Sequence, residues 1–269
     1  MRLGNKFSAM EIRSFYDEAM RLRREMGWGK RRIARKLGLS ENTVRFWLGG
    51  RQPFHTNVNL SPSPELSFFL GCMYSDGTAY FNKPSGNWIL SMTSTDKEFL
   101  EKFSLCSSRI VGRENPYPIL LPPSCRGRQG WRDAYIVSFN CRTLVEFLGK
   151  RVLEERHIKV IDEYPPEFIQ AFFDGDGTVY GDNYLGIILR VSNKKKQVIR
   201  YIADLLQRKF KISTSVYEMK NPNKMCACQF RGLEKAIKFY REIGFTINRK
   251  NARLGELIEN KIQKTELRA

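Results

Sequence analysis

The chain has 269 residues, enough for one large core or a small domain beside a larger one. Its 46 Lys and Arg against 28 Asp and Glu leave a net charge of +18, a field that attracts polyanions and points to nucleic acid rather than to an acidic membrane surface. Mean hydropathy is -0.44, and no run of eighteen apolar residues and no charged-then-apolar leader is found. A membrane or secreted protein is therefore not expected. The expected place is the cytoplasm, on the nucleoid, or an organelle in a eukaryotic host. Six cysteines form no CxxC pair and only His55 and His157 accompany them, so a zinc site is poorly supplied. Cys226 and Cys228 fall two apart on one face of an expected strand, where they pack.

Residues 9–27 place Ile12, Phe15, Tyr16, Ala19 and Leu22 at helical spacing, ended by Gly27. GKRRIARKLGLSENTVRFWL follows. Ile33, Ala34 and Leu37 make the inner face of one short helix, and Val44, Trp47 and Leu48 that of a second. Small Ala34 permits close approach, Gly38 the turn, and Ser40 a cap. This pattern resembles the helix-turn-helix domains of resolvases and repressors. Glu41, Asn42, Thr43 and Arg45 then stand where a recognition helix reaches base edges. Residues 1–60 hold 13 Lys and Arg against 5 acidic residues. A linker rich in Gly and Pro follows, dividing a domain at 1–50 from the rest through a linker at 51–62.

Two stretches one hundred residues apart then share a pattern. SPELSFFLGCMYSDGTAYF and PPEFIQAFFDGDGTVYG each open with Pro and Glu and run apolar for about two turns; each ends in Asp-Gly-Thr-x-Tyr. Small residues recur four apart, Gly71 with Ser75 and Ala171 with Gly175. Each helix thus has a stripe of nearly bare backbone, and two such stripes pack unusually closely. If the helices run side by side in one direction, Asp76 and Asp176 emerge together. Paired carboxylates repel unless a cation lies between them, and Mg²⁺ suits one or two carboxylates plus phosphate. An Asp-Gly turn is common by itself, but here it recurs inside two similar halves. WILSMTSTDKEFLEKF parallels LGIILRVSNKKKQVIRYIADLL, and YIVSFNCRTLVEFL parallels CACQFRGLEKAIKFY. Each half reads as helix, two strands, helix, two strands, helix.

FLGCMYSDG (Phe69–Gly77) and IQAFFDGDG (Ile169–Gly177) resemble the two motifs of the LAGLIDADG homing endonucleases over about residues 63–262. The resemblance implies an α+β fold: a pseudo-twofold monomer of two αββαββα halves, at 63–160 and 161–269, with a saddle of antiparallel sheets over DNA. The small all-α helix-turn-helix domain precedes it. The resemblance also implies a metal site at Asp76 and Asp176, flanked by Ser75, Gly77, Gly175 and Gly177. It implies Mg²⁺ as cofactor, Mn²⁺ as substitute, and Ca²⁺ as an ion that supports binding without efficient cleavage. The partner implied is double-stranded DNA with a long specific site, cut on both strands by metal-activated water.

Two positions depart from the family pattern. Its other motif acid is Tyr74 in the first copy and Asp174 in the second. Where relatives carry a basic or amide residue at the end of the second strand, the second half offers Asn193 and Lys194. The first offers Ser94 and Thr95, with Lys97 further on. One strand is then expected to be cut more slowly. Lys194 reads equally as part of a solvated helix start. Expected saddle contacts are Arg126, Arg128 and Arg132, with Trp131 among them, in the first half, and Arg190, Lys220, Lys224 and Arg231 in the second. Two other readings stay open: a DNA-binding regulator that keeps the scaffold without its chemistry, and an RNA maturase.

Overall fold

The computed structural model describes residues 7, 9–49, 58–122, 133–182, 186–219 and 225–266. Three helices come first: α1 (Ala9–Met26), α2 (Lys30–Leu37) and α3 (Glu41–Leu48). Gly38 takes a left-handed φ of 65°, which a side chain disfavours. This lets the Leu39 amide donate to the Ala34 carbonyl at 2.9 Å and close α2. Ser40 Oγ accepts from the Thr43 amide at 3.2 Å and opens α3. Ile12, Ala19, Leu22, Ile33, Ala34, Val44 and Trp47 form a core of their own.

The remaining chain repeats a pattern. First come α4 (Pro64–Tyr74), β1 (Thr78–Asn82), β2 (Asn87–Ser94), α5 (Lys97–Ile110), β3 (Tyr135–Asn140), α6 (Arg142–Leu148) and α7 (Glu155–Glu163). Then come α8 (Pro165–Asp176), β4 (Gly177–Asp182), β5 (Gly186–Asn193), α9 (Lys196–Phe210), β6 (Ser215–Glu218), β7 (Cys226–Arg231), α10 (Leu233–Glu242) and α11 (Asn248–Glu266). The boundary expected between residues 160 and 161 falls inside α7. The chain instead turns at Tyr164, which ends α7 and leads into the Pro165 start of α8.

Both sheets are antiparallel, ordered β1-β2-β3 and β4-β5-β7-β6. The pairing registers match between halves: Thr78 faces Ser91 as Thr178 faces Arg190, and Tyr80 faces Ile89 as Tyr180 faces Ile188. Strand alternation sends Leu90, Met92, Leu189 and Val191 into the core and leaves their neighbours on the opposite face. The first half departs at one place among the described residues. Where β6 pairs with β7 in the second half, Leu120 makes a single bridge to Ile136. Pro116, Pro118 and Pro122 flank Leu120, and each removes an amide donor that a longer ladder needs.

One core joins the two halves, with α4 and α8 at its centre and Phe68, Phe69, Phe168, Phe172 and Phe173 all inaccessible to solvent. Cys226 and Cys228 are buried in it, as their spacing predicts. No helix among the described residues is long and apolar enough to cross a membrane.

Candidate active site at the paired helix ends

The small-residue stripes meet. A Cβ added at Gly71 would lie 2.6 Å from the Phe168 carbonyl oxygen and 2.7 Å from Ala171 Cβ. One added at Gly175 would lie 2.6 Å from Ser75 Oγ and 3.0 Å from Asp76 Oδ2. Ser67 Oγ donates to the Tyr164 carbonyl at 2.6 Å, so α4 and α8 start together and end together. At that shared end Ser75 turns its hydroxyl back to the Gly71 carbonyl at 3.0 Å, and the carboxylates of Asp76 and Asp176 come out as neighbours. Packing requires glycine at 77 and 177. A Cβ there would meet the backbone of Met73 and Phe173 at 2.7 and 2.4 Å.

Burial is the main cause that raises both carboxyls, Asp176 to about 6. The proximity of Asp76 raises Asp176 further, and a hydrogen bond from Asn193 opposes the rise. Asp76 keeps an exposed edge and Asp176 is half-buried, so solvent tempers these shifts. Asn193 Nδ2 donates to Asp176 Oδ2 at 2.6 Å, and Asn193 Oδ1 accepts from the Lys195 amide at 2.9 Å. The predicted amide residue therefore stands at the site and aims one carboxylate oxygen, leaving the other unclaimed by it. Among the described residues no group of three or more His, Cys, Asp or Glu is arranged to hold a metal. Two oxygen donors crowded to the point of mutual repulsion fit a hard divalent cation that completes its shell with water and phosphate.

Three cations that sequence reasoning missed surround the pair. Lys195 Nζ crosses from the second half to donate to the Tyr74 carbonyl at 2.6 Å. Burial lowers that ammonium to about 8, helped by nearby Arg151 and opposed by Asp176. Arg151, in a left-handed conformation with φ 55°, donates to the Gly77 carbonyl. Lys250, at the start of α11, donates to the carbonyls of Phe173, Asp174 and Gly177 at 3.0, 2.6 and 2.7 Å. Each motif helix thus ends on cations that satisfy its last carbonyls and offset the negative pole there.

Neighbouring lysines of the run Lys194–Lys196 face different ways. Lys194 is exposed, and it is Lys195 that turns inward, because the turn held by Asn193 Oδ1 makes residue 195 the N-cap of α9. Lys97 is also exposed and lies over the Tyr135 ring, 4.4 Å from its centroid. The N-cap of α5, the counterpart of Lys195, is Asp96. Arg249 grips that carboxylate with two hydrogen bonds of 2.7 Å. The motif positions that differ, Tyr74 and Asp174, both bind the scaffold. Tyr74 donates to the Val152 carbonyl at 2.8 Å, and Asp174 accepts from the amides of Thr246 and Ile247 at 3.0 and 3.2 Å.

On α3, Glu41, Asn42 and Arg45 are exposed, with Glu41 3.4 Å from Arg31 of α2. Thr43 is turned to the cap instead, its hydroxyl 2.8 Å from Ser40 Oγ. Arg190 lies on the sheet face opposite the core. Arg126, Arg128, Arg132, Trp131, Lys220 and Lys224 lie outside the described residues.

The family model described as a LAGLIDADG-like domain matches residues 163–244. A Methanocaldococcus jannaschii protein, MJ0398, is 27% identical over 241 residues, covering 85% of each chain. The DNA-directed RNA polymerase subunit Rpo1C of that organism is 23% identical over 211 residues, which span 75% of this chain and 22% of that protein. Among solved structures, I-DmoI in complex with DNA and Ca aligns with a TM-score of 0.50 at 15% identity, over 72% of this chain and 97% of that one. Residues 163–244 are thus similar to a LAGLIDADG-like domain, and the chain has the fold of the LAGLIDADG homing endonucleases.

Proposed function

We propose that this chain is a site-specific endonuclease that hydrolyses both strands of double-stranded DNA, acting as a monomer with internal twofold pseudo-symmetry. The observation that carries this reading is the meeting of Asp76 and Asp176 at the shared end of two helices in van der Waals contact. A structural role gives little reason to crowd two carboxylates there, since each is raised by burial and one by the other. The related I-DmoI structure, with DNA and calcium, makes the same partners a natural choice.

Asp76 and Asp176 would hold Mg²⁺, with Mn²⁺ as a substitute and Ca²⁺ supporting binding without efficient cleavage. A divalent cation in this place supplies Lewis-acid stabilisation of phosphoryl oxygens and acidifies a water for in-line attack. Asn193 fixes the orientation of Asp176 through its 2.6 Å hydrogen bond. Lys195, an ammonium beside the carboxylates, stabilises negative charge as it builds on the phosphate. Arg151 and Lys250 hold the two helix ends in place, which keeps the carboxylates aligned. Because Asp96 stands where Lys195 stands in the other half, the two strands are served by unequal groups, and one is cut more slowly.

The N-terminal helices (1–50), joined through 51–62 to the two halves, would add a second DNA contact through Asn42 and Arg45 of α3. The +18 charge and pI near 9.8 suit that role. The test is selection of duplexes from a random library in Ca²⁺, then transfer to Mg²⁺ or Mn²⁺. Double-strand cleavage lost in Asp76→Asn and Asp176→Asn supports the reading. Specific binding without cleavage in any divalent metal leaves a regulator, and binding confined to RNA leaves a maturase.

A further inference from the structure

We propose that the two sheets read chemically unlike half-sites, a guanine-bearing half under β4–β7 and a half rich in adenine and thymine under β1–β3. The inference rests on the DNA-binding part of the reading above and goes on to the bases. Strands β1, β2 and β3 contain no charged residue. Their face opposite the core carries Tyr80, Asn87, Ile89, Ser91 and Asn140, set in cross-strand rows by the pairing register. Asn87 and Asn140 are exposed, and their side chains make no hydrogen bond to a described residue. An asparagine amide, with one acceptor and two donors, matches adenine N6 and N7 in the major groove, and apolar side chains match the thymine methyl. Tyr80, 45% exposed, and its cross-strand neighbour Ile89 supply the apolar surface. Outward residues recur every about 6.8 Å along a strand, close to two base-pair steps of about 3.4 Å, so each row faces a defined pair.

The second sheet departs from this by carrying arginine at two matched positions: Arg231 faces Ile188 as Asn140 faces Ile89, and Arg190 stands where the first sheet has Ser91. Ser91 pairs with Thr78, and its counterpart Arg190 pairs with Thr178. Arg190 lies 5.7 Å from the Tyr180 ring centroid and beside Gln229 on the next strand. It forms no ion pair with any described residue. A guanidinium held over a ring and left unclaimed suits the O6 and N7 acceptors of guanine, which it meets with two hydrogen bonds. The internal symmetry supplies the control, since the same point on the mirrored half-site meets a serine.

The experiment is selection of the full chain on randomised duplex DNA in Ca²⁺, repeated for Arg190→Ala and Ser91→Arg. Wild type should return a site whose halves differ in base composition. R190A should lose a guanine preference of about tenfold or more at one position and leave the other half unchanged. S91R should gain guanine at the mirrored position. A guanine preference that persists in R190A, or an affinity that falls equally for all sequences, makes Arg190 a phosphate contact and overturns the proposal. So do palindromic halves, or a library that yields no enriched site. Binding is scored without cleavage, so a selected site that stays uncut in Mg²⁺ defeats the nuclease reading and leaves this one standing.

Discussion

Replacing Asp176 with asparagine should make the metal-free protein more stable at pH 8 while removing its response to divalent cations. Asparagine keeps an oxygen to accept from Asn193 Nδ2 and removes a charge that burial and Asp76 both disfavour. A rise from 3.8 to about 6 is worth about 3 kcal/mol for a fully sequestered group. Asp176 is half-buried, so about half of that, about 1.5 kcal/mol, is the appropriate figure. For a core of this size it raises Tm by about 3 to 6 °C. The sign follows from the direction of the shift. A carboxyl whose folded pKa is raised contributes stability below its unfolded value and loses it as pH rises through about 6. The advantage of D176N should therefore shrink as pH falls through 6 and vanish near pH 4. Thermal melts in chelator at pH 8 and pH 4, then with millimolar Mn²⁺, read all of this. Wild type should gain stability with metal and D176N should not. A variant that melts lower than wild type at pH 8, or that keeps the metal-induced gain, refutes the reasoning.

Lys195→Met should slow one DNA strand far more than the other, by about a hundredfold, so that nicked product accumulates in a strand-resolved gel. Its ammonium is lowered to about 8, so cleavage by wild type should decline above that pH and the K195M profile should lose the step. Gly71→Ala should separate the motif helices, because its Cβ would lie 2.6 Å from a backbone oxygen. The expected loss is about 2 kcal/mol in denaturant melts, with cleavage reduced more than DNA binding. Ser40→Ala removes the cap of α3 and should cost the N-terminal helices about 1 kcal/mol, read as earlier loss of helical signal on heating.

Local chemistry made much of this molecule legible in advance. Gly27, Gly38 and Ser40 mark the ends of α1 to α3, and the Gly71/Ser75 and Ala171/Gly175 stripes announce a close helix pair. The cations at the site carry no such mark. Arg151 and Lys250 lie more than seventy residues from the carbonyls they reach, and only the tertiary fold brings them there. The choice of Lys195 over Lys194 is a one-residue matter of rotation. It is settled by the turn that Asn193 makes with its own side chain, which a run of three lysines does not reveal. The short first sheet is likewise clear only after the fact, from the prolines around Leu120. Asp96 reads in sequence as a plain helix cap. Its bidentate hold on Arg249 across the molecule appears only once α11 is in place.

The most direct test of the account follows both DNA strands separately during cleavage of a duplex selected in Ca²⁺ and then switched to Mg²⁺, with wild type, D76N and D176N side by side. The account predicts that wild type cuts both strands at unequal rates and that each substitution abolishes double-strand cleavage while specific binding survives. Cleavage that persists in both variants, or a wild-type protein that binds its site and never cuts it in Mg²⁺ or Mn²⁺, would contradict it.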